Sequence, residues 1–305
     1  MIRQSGTSMR PIIITVDLED WFQVENLRPC FPLESWESCE SRIEMNTYKL
    51  LELFDRYNVC ATFFVLGWVA KRFSGLIREI AGLGHEIASH GYSHRLCCDI
   101  QGPALRGDIH MSKALLEDIT GQAVLGYRAP NFSMTKELAE VLGDLSFAYD
   151  SSYNSFRLNR RHGKGEDLRQ TSEGYLVMGN GIMELPVSNL RFAGRTIPWA
   201  GGGYFRFWPT TLFESGVARI LRSEGRYVFY CHPWEVDPEQ PRQTHGIGSV
   251  SRFRHYLNLD KTLERLRHFF VRFQDSGFVS CGTYLPITEP CKSCEGDITL
   301  GLARV

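Results

Sequence analysis

Short apolar segments rich in β-branched residues alternate with longer amphipathic segments over the first half of the chain. The first apolar segment, residues 12–16, has the length and composition of a strand that is buried on both faces. Two more such segments, residues 61–66 and 85–89, follow stretches in which apolar residues recur at helical spacing. This alternation predicts parallel strands that are joined by helical crossovers.

Further helical and strand-like segments are found in the rest of the chain. Helical spacing is found at residues 42–57, 69–83, 106–119, 135–145 and 259–273, and strand-like segments at 175–178, 182–187, 227–231 and 278–284, with a short strand just before Arg128. The sequence contains no internal repeat. We therefore expect a single domain over residues 1–305, an α/β fold of the irregular (β/α) barrel type, with an exposed polar loop at residues 157–173.

The overall composition excludes several classes of protein. The 305 residues are 43% hydrophobic, which is enough for a sizeable core. A formal net charge of −1 gives no electrostatic basis for binding nucleic acid or an anionic membrane. No apolar run approaches the roughly 20 residues of a membrane span, so we do not expect the chain to cross a membrane.

The cysteines and the N-terminus favour a cytoplasmic location. The nine cysteines are an odd number, and Cys97 lies directly beside Cys98, an arrangement that suits a reducing compartment better than a disulfide framework. The first ten residues lack the apolar core of a signal peptide. Cys291 and Cys294 form a lone C-x-x-C pair, for which an incidental placement and a zinc or redox role both remain open.

His90 and His94 are the first candidates for chemistry. They follow the predicted strand at residues 85–89, and two imidazoles at this spacing can converge on one cation. The same spacing also arises by chance, so the pair needs independent support. Asp17, Glu19 and Asp20 crowd the end of the first predicted strand. Acids this close repel one another unless a cation or hydrogen bonds compensate, although a solvated turn or a helix cap also contains such acids.

Two further polar residues follow predicted strands. Arg128 begins an Arg-Ala-Pro sequence, and an arginine can orient a carboxylate through paired hydrogen bonds. His232 follows the strand-like residues 227–231. Taken singly, Arg128 could be an ordinary surface residue and His232 a structural one. The carboxyl ends of the strands of a β/α barrel form one mouth, however, so all four polar elements are expected to converge there.

Four motifs occur in order along the chain: acids after the first strand, H-x-x-x-H, R-x-P and a late strand that ends in histidine. This ordered set resembles the NodB-homology polysaccharide deacetylases, the fourth carbohydrate esterase family. The resemblance covers residues 11–235, with residues 236–305 adding a C-terminal helix and a closing strand. The amino-acid sequences of residues 16–22 and of residues 232–235, His-Pro-Trp-Glu, resemble those of the subgroup that is associated with exopolysaccharide loci of the PEP-CTERM/exosortase type.

The resemblance implies a role for each matching residue. Asp17 corresponds to the catalytic base, Arg128 to the arginine that orients it, and His232 to the general acid. His90 and His94 correspond to metal ligands. The carboxylate ligand is Glu19 or, as the alternative, Asp20, because Leu18 separates acids that are adjacent in many family members. The resemblance also places the backbone of Asn131 or Phe132 near the oxyanion and Asp150-Ser151-Ser152 along a substrate groove.

The resemblance further implies the cofactor and the substrate class. The cofactor is a divalent metal, with Zn²⁺ as the first choice and Co²⁺, Ni²⁺ or Fe²⁺ as alternatives. The expected partner is an N-acetylated polysaccharide or oligosaccharide, from which acetate is released. Two rival functions are an allantoinase-like amidohydrolase of small molecules on the same barrel and a carbohydrate-binding protein without catalysis.

Overall fold

The computed structural model describes residues 10–156, 168–171 and 175–287. Its strands are β1 Ile12–Leu18, β2 Thr62–Val65, β3 Glu86–Ser89, β4 Gly126–Tyr127, β5 Tyr149–Asp150, β6 Arg169–Gln170, β7 Leu176–Val177, β8 Met183–Glu184, β9 Asn189–Phe192, β10 Arg195–Pro198, β11 Tyr227–Cys231 and β12 Phe278–Val279. Its α-helices are α1 Ile43–Arg56, α2 Gly67–Arg72, α3 Ser74–Gly82, α4 Pro103–Thr120, α5 Lys136–Asp144, α6 Gly202–Phe207, α7 Thr210–Glu224, α8 Ser249–Tyr256, α9 Leu259–Arg272 and α10 Cys281–Tyr284.

Ten of these strands form one sheet around β1. The order is β11-β1-β2-β3-β4-β5-β8-β7-β6, and β12 also pairs with β1. The strands from β11 to β8 pair in parallel, whereas β7 is antiparallel to both β8 and β6. The predicted parallel sheet with helical crossovers is thus confirmed, with an antiparallel extension at one edge.

The sheet curls into an irregular barrel, and the segment between β8 and β11 fills the gap between its ends. Val228 N–H donates to Ser188 Oγ at 2.9 Å, and Tyr230 N–H donates to the Ala200 carbonyl at 2.9 Å. Gly201, with φ of 143°, forms a single parallel bridge to Tyr230. A Cβ at Gly201 would lie 2.0 Å from the Tyr230 carbonyl oxygen, so only glycine allows this close approach.

The C-terminal helix packs on the same core as the barrel strands. Phe269 of α9 stacks on Phe229 of β11 with ring centroids 5.3 Å apart, and Phe270 contacts Phe54 of α1 and Phe278 of β12. All of these rings are buried. Within the described residues, no helix is both long enough and apolar enough to span a membrane.

Several local predictions were wrong. The helix that we expected at residues 69–83 is two helices, α2 and α3, because Phe73 between them leaves the helical region at φ −124° and ψ 47°. The expected closing strand at 278–284 ends at Val279. Ser280 Oγ then accepts the Thr283 N–H and begins α10. Helix α7 and the β9–β10 hairpin were not predicted at all.

Two predictions fall wholly or largely on residues that the structure does not describe. Cys291 and Cys294 lie outside the described residues, and so does most of the expected loop at residues 157–173. The aromatic segment that follows β10, residues 199–208, contains α6, and Trp199 and Phe205 are buried in the core.

Gly126 offers a test of the barrel packing. A Cβ at this position would lie 2.2 Å from the ring of Tyr149, a fully buried side chain whose hydroxyl donates to Glu86 Oε1 at 2.8 Å. We expect Gly126→Ala to reduce the free energy of unfolding by about 1–3 kcal/mol in urea titrations, because the core must shift to accept the methyl group. The control is Gly107→Ala, which meets nothing within 4 Å inside α4 and should be neutral or slightly stabilising. Equal stability of wild type and Gly126→Ala would contradict the packing described here.

Candidate active site

The first strand places two acids on the same side of the sheet. Asp17 lies in β1 and Glu19 directly follows its last residue, Leu18, and the two carboxylates lie 3.8 and 3.5 Å from the same atom, His232 Nε2. Both are buried, with 3% of each residue exposed. Asp17 lies opposite Phe64 of β2, and Val16 lies opposite Cys231 of β11. His232, the next residue along β11, is therefore brought to the acids.

His90 and His94 converge with Glu19. Their ligand atoms and a Glu19 carboxylate oxygen all lie within 4.8 Å of one another, and all three residues are buried. The His90 ring contacts the Arg128 carbonyl oxygen through Nδ1 at 2.8 Å, which assigns the proton to Nδ1 and leaves the Nε2 lone pair for a cation. Burial lowers the pKa of His90 to about 4, so the imidazole is neutral at ordinary pH.

The surroundings of the Glu19 carboxylate show whether a cation would fit between these residues. Among the residues that the structure describes, its buried Oε2 has no hydrogen-bond partner, although His94 Nε2 lies 2.9 Å away. A buried, unpaired carboxylate oxygen is costly, and two imidazoles with one carboxylate are a common donor set for Zn²⁺. The residues present therefore fit a divalent cation, and Glu19, His90 and His94 form a possible metal site.

Asp20, the alternative carboxylate ligand, is directed away from the histidines. Its Oδ2 accepts from Ser41 Oγ at 2.7 Å and from Arg42 N–H at 2.8 Å, and its Oδ1 accepts from Trp21 N–H. These bonds place Asp20 near the start of α1, where it is buried and not part of a solvated turn. Of the two acids, Glu19 is the one that the structure places with the histidines.

The loop that carries His94 is held by a residue of α4. Asp108 accepts the N–H groups of Tyr92 and Ser93 at 2.7 and 3.2 Å, and it also accepts the Ser93 hydroxyl. These bonds stabilise a left-handed conformation at His94, with φ of 53°, which few non-glycine residues adopt. Asp108 could not be identified from the sequence, because 13 residues lie between it and His94 and only the packing of α4 brings it close.

Arg128 is fully buried between β1 and β5, which excludes the ordinary surface arginine. Its Nη1 donates to Asp17 Oδ1 at 2.7 Å and to Thr15 Oγ1 at 2.8 Å. Its remaining nitrogens donate to the carbonyl and hydroxyl of Ser151. Although burial opposes ionisation, Arg128 with the nearby histidines holds the pKa of Asp17 below its ordinary value, so this carboxylate is ionised.

The segment Asp150-Ser151-Ser152 has a different place from the one expected. All three residues are fully buried, so they do not shape a substrate groove. Ser152 Oγ accepts the Ala129 N–H at 2.8 Å and donates to Asp150 Oδ1 at 2.6 Å. Together with the bonds from Arg128 to Ser151, these contacts position the segment that carries Arg128.

His232 faces the two acids of β1. Its Nε2 lies 3.8 Å from Asp17 Oδ2 and 3.5 Å from Glu19 Oε1. Its Nδ1 contacts Glu235 Oε2 at 3.1 Å, and Glu235 Oε1 in turn accepts from the buried Arg206 at 2.8 Å. Burial lowers the pKa of His232, but the surrounding carboxylates, Glu235 above all, outweigh burial and raise it to about 9.

Glu235 and Arg206 were not assigned roles from the sequence. Burial raises the pKa of Glu235, but Arg206 and His232 overcome this effect and lower it to about 2. Trp234 is also new to the site, since its Nε1 donates to Glu19 Oε1 at 3.3 Å and its ring stacks on His232. The available signal was the sequence His-Pro-Trp-Glu, which places an acid three residues after the histidine at the start of the short 3₁₀ helix Pro233–Val236.

With this geometry established, comparisons with known proteins become informative. Residues 36–149 match the family model for Polysaccharide deacetylase, and residues 151–285 match a model described as Domain of unknown function (DUF3473). Over 115 residues the chain is 34% identical to the peptidoglycan deacetylase of Helicobacter pylori, covering 37% of this chain and 39% of that protein. Over 84 residues it is 34% identical to the peptidoglycan-N-acetylglucosamine deacetylase of Bacillus cereus, covering 28% and 30%.

These matches support the polysaccharide deacetylase family. The matched part covers less than half the length of each of these two curated relatives. The family model includes His90, His94 and Arg128, whereas Asp17, Glu19 and His232 lie outside it. The fold brings Asp17, Glu19 and His232 next to the residues that the family model matches.

Solved structures show the same fold. A crystal structure from Mycobacterium smegmatis, named as a polysaccharide deacetylase, aligns over 93% of this chain and 91% of that chain with a TM-score of 0.58 and 21% identity. PuuE allantoinase aligns over 90% and 88%, with a TM-score of 0.55 and 14% identity. The NodB-like (β/α) barrel that the sequence predicted is therefore confirmed, while identities this low establish the fold alone.

The possible metal site yields a binding prediction. We expect His90→Ala and His94→Ala to lose tight Zn²⁺ or Co²⁺ binding, because each removes one of three protein ligands. Elemental analysis after gel filtration measures the retained metal, with His110→Ala, an exposed histidine of α4, as the control. Glu19→Gln should also weaken binding, whereas Asp20→Asn should not. Stoichiometric metal in the His90/His94 double variant would contradict the site.

The contact between Glu235 and His232 yields a titration prediction. In the metal-free protein we expect Glu235→Gln to lower the pKa of His232 from about 9 toward or below the ordinary value of about 6.5. Burial lowers this pKa, and the variant removes the carboxylate that opposes burial most strongly. NMR titration of the imidazole resonances measures this change. Glu239→Gln, which removes an exposed acid from the same segment, is the matched control. An unchanged His232 pKa in Glu235→Gln would remove Glu235 from this role.

Proposed function

We propose that this protein is a metal-dependent deacetylase that releases acetate from N-acetylhexosamine units of a polysaccharide or its precursor. One observation carries the proposal: two histidines, two acids, a buried arginine and a third histidine, drawn from four different strand ends, converge on one side of the barrel. The relatives from Helicobacter pylori and Bacillus cereus are named as peptidoglycan deacetylases, which agrees with cleavage of an acetamide bond.

A divalent cation bound by Glu19, His90 and His94 would polarise the acetamide carbonyl and lower the pKa of a water that it holds, from about 15.7 toward about 7. Zn²⁺ is our first choice, and Co²⁺, Ni²⁺ and Fe²⁺ also suit the donor set.

The protein's own residues supply the proton transfers. Asp17, kept ionised and oriented by Arg128, accepts a proton from the attacking water as the water oxygen bonds to the acetyl carbon. His232, kept protonated by Glu235, then donates its proton to the amide nitrogen while the carbon–nitrogen bond breaks. Acetate and a free amino sugar result.

The backbone of residues 130–132 is a candidate for stabilising the oxyanion. Of the two positions that the sequence left open, Phe132 already donates its N–H to the Ala129 carbonyl at 2.9 Å. We therefore propose Asn131, whose left-handed conformation at φ 50° turns the chain directly after the Arg-Ala-Pro sequence.

The sequences of residues 16–22 and 232–235 lead us to propose an exopolysaccharide as the substrate class. The odd number of cysteines and the adjacent pair Cys97 and Cys98 lead us to propose the cytoplasm as the site of action. The rival function is hydrolysis of a small ureide, for which the fold of PuuE allantoinase gives a reason to include a second substrate in the test.

The test is acetate release by the metal-loaded protein from N-acetylglucosamine oligomers, run beside allantoin hydrolysis. We expect acetate from the oligomers and no turnover of allantoin. Asp17→Asn is the matched variant, since the amide oxygen can still accept from Arg128 but cannot take the proton. It should keep the metal and lose about 10²- to 10⁴-fold in kcat. Allantoin turnover without acetate release, or an Asp17→Asn variant as active as the wild type, would contradict the proposal.

A further inference from the structure

A cavity lies directly beside the possible metal site, because His94 is part of its lining. Its volume is about 300 Å³, at the lower end of the range of about 300–1,000 Å³ that is usual for small-molecule sites. His94 and Ser93 form one wall, so whatever fills this cavity lies next to a residue of the possible metal site. Phe31 and Leu33 provide apolar surface on another wall. None of the site residues predicted from the sequence, apart from His94, lines it.

Gln23 places an unused hydrogen-bond donor at this cavity. Its side chain is buried, with 2% of the residue exposed, and its Oε1 accepts the Asp20 N–H at 2.7 Å. Because a backbone N–H needs an acceptor, this bond fixes which end of the amide is oxygen. The other end, Nε2, is buried and has no hydrogen-bond partner among the described residues. A buried donor left unsatisfied costs about 1–3 kcal/mol, so an acceptor atom in the cavity would relieve this cost.

Arg95 contributes a second free donor, and a positive charge. It follows His94, is exposed, and forms no hydrogen bond or ion pair with any residue in the described parts of the chain. Arg28 also lines the cavity, but Asp99 at 2.8 Å and Glu25 at 3.5 Å offset its charge. The opposing charge on the lining is that of Glu34, which is exposed and therefore well screened by water.

The ligand that suits this lining has acceptor oxygens and a negative charge. A carboxylate accepts several hydrogen bonds and pairs with the planar guanidinium group through two of them. A neutral sugar hydroxyl would satisfy Gln23 but would gain nothing from the charge of Arg95. The apolar wall can meanwhile contact the carbon face of a pyranose ring.

We infer that this cavity binds a carboxylate carried by the sugar adjoining the reactive N-acetylhexosamine, so that the substrate is an acidic glycan. The inference rests on the proposed deacetylase function and adds to it the chemical class of the neighbouring sugar. Gln23 and Arg95 are the residues that select this class.

The experiment compares substrates that differ only in the carboxylate. One oligomer alternates N-acetylglucosamine with glucuronic acid, and its matched control is the same oligomer after chemical reduction of the carboxylates to alcohols. The disaccharide of N-acetylglucosamine and N-acetylmuramic acid, which carries its carboxylate on a lactyl ether, distinguishes the two sources of the same group. Acetate release gives kcat and KM, and calorimetry with metal-loaded Asp17→Asn gives binding without turnover.

We expect the acidic oligomer to have at least about tenfold higher kcat/KM than its reduced control, mainly through a lower KM, because a charge-assisted hydrogen bond is lost on reduction. Arg95→Gln should bring this ratio close to one, and Glu34→Gln should raise it. Arg78→Gln, which removes an exposed arginine of α3, should leave it unchanged.

The measurements test the carboxylate-binding inference and the deacetylase proposal separately. Equal kcat/KM for the acidic and reduced oligomers, or a ratio that Arg95→Gln leaves unchanged, overturns the inference while acetate release still supports the deacetylase. If no substrate releases acetate, the deacetylase proposal fails, and the calorimetric preference for the acidic oligomer alone decides whether the cavity binds a carboxylate.

Discussion

The buried ion pair between Arg128 and Asp17 is the interaction on which the rest of the site depends. Arg128 reaches from the end of β4 to β1, and its other nitrogens bind Ser151 after β5. Its carbonyl oxygen also contacts His90. One side chain and its backbone thus fix the positions of three strand ends. Removing either partner of a buried pair leaves an unpaired charge in the core, typically at a cost of about 3–5 kcal/mol, so a variant that removes the proposed base is also expected to destabilise the fold.

A similar arrangement is found on the opposite side of the site. Arg206 holds Glu235, which holds His232, and each contact is between buried or nearly buried groups. The two arginines have opposite consequences for proton transfer. Arg128 lies beside the proposed base and keeps Asp17 ionised, whereas Arg206 keeps Glu235 ionised so that Glu235 can keep His232 protonated. An acid and a base with separated pKa values are thereby maintained close together.

The boundary between the two family matches does not separate the site into two parts. Arg128 lies in the first matched segment, and its partner Ser151 lies in the second. Strand β11, also in the second segment, pairs with β1 over five residues, from Ile12 with Tyr227 to Val16 with Cys231. The segment of unknown function therefore supplies His232, Glu235 and Arg206 to a site whose possible metal ligands, Glu19, His90 and His94, lie earlier in the chain.

The sequence alone determined the alternation of strands and helices from β1 to α5, since buried parallel strands and amphipathic helices have distinct apolar periods. It did not reveal α7 or the β9–β10 hairpin. It also determined that the acids, His90, His94, Arg128 and His232 follow strands, and therefore that they share one end of the barrel. Only the tertiary structure decided between Glu19 and Asp20, because hydrogen bonds from Ser41 and Arg42 direct Asp20 elsewhere. The roles of Asp108, Arg206 and Gln23 likewise depend on packing between distant segments, which no local period in a sequence records.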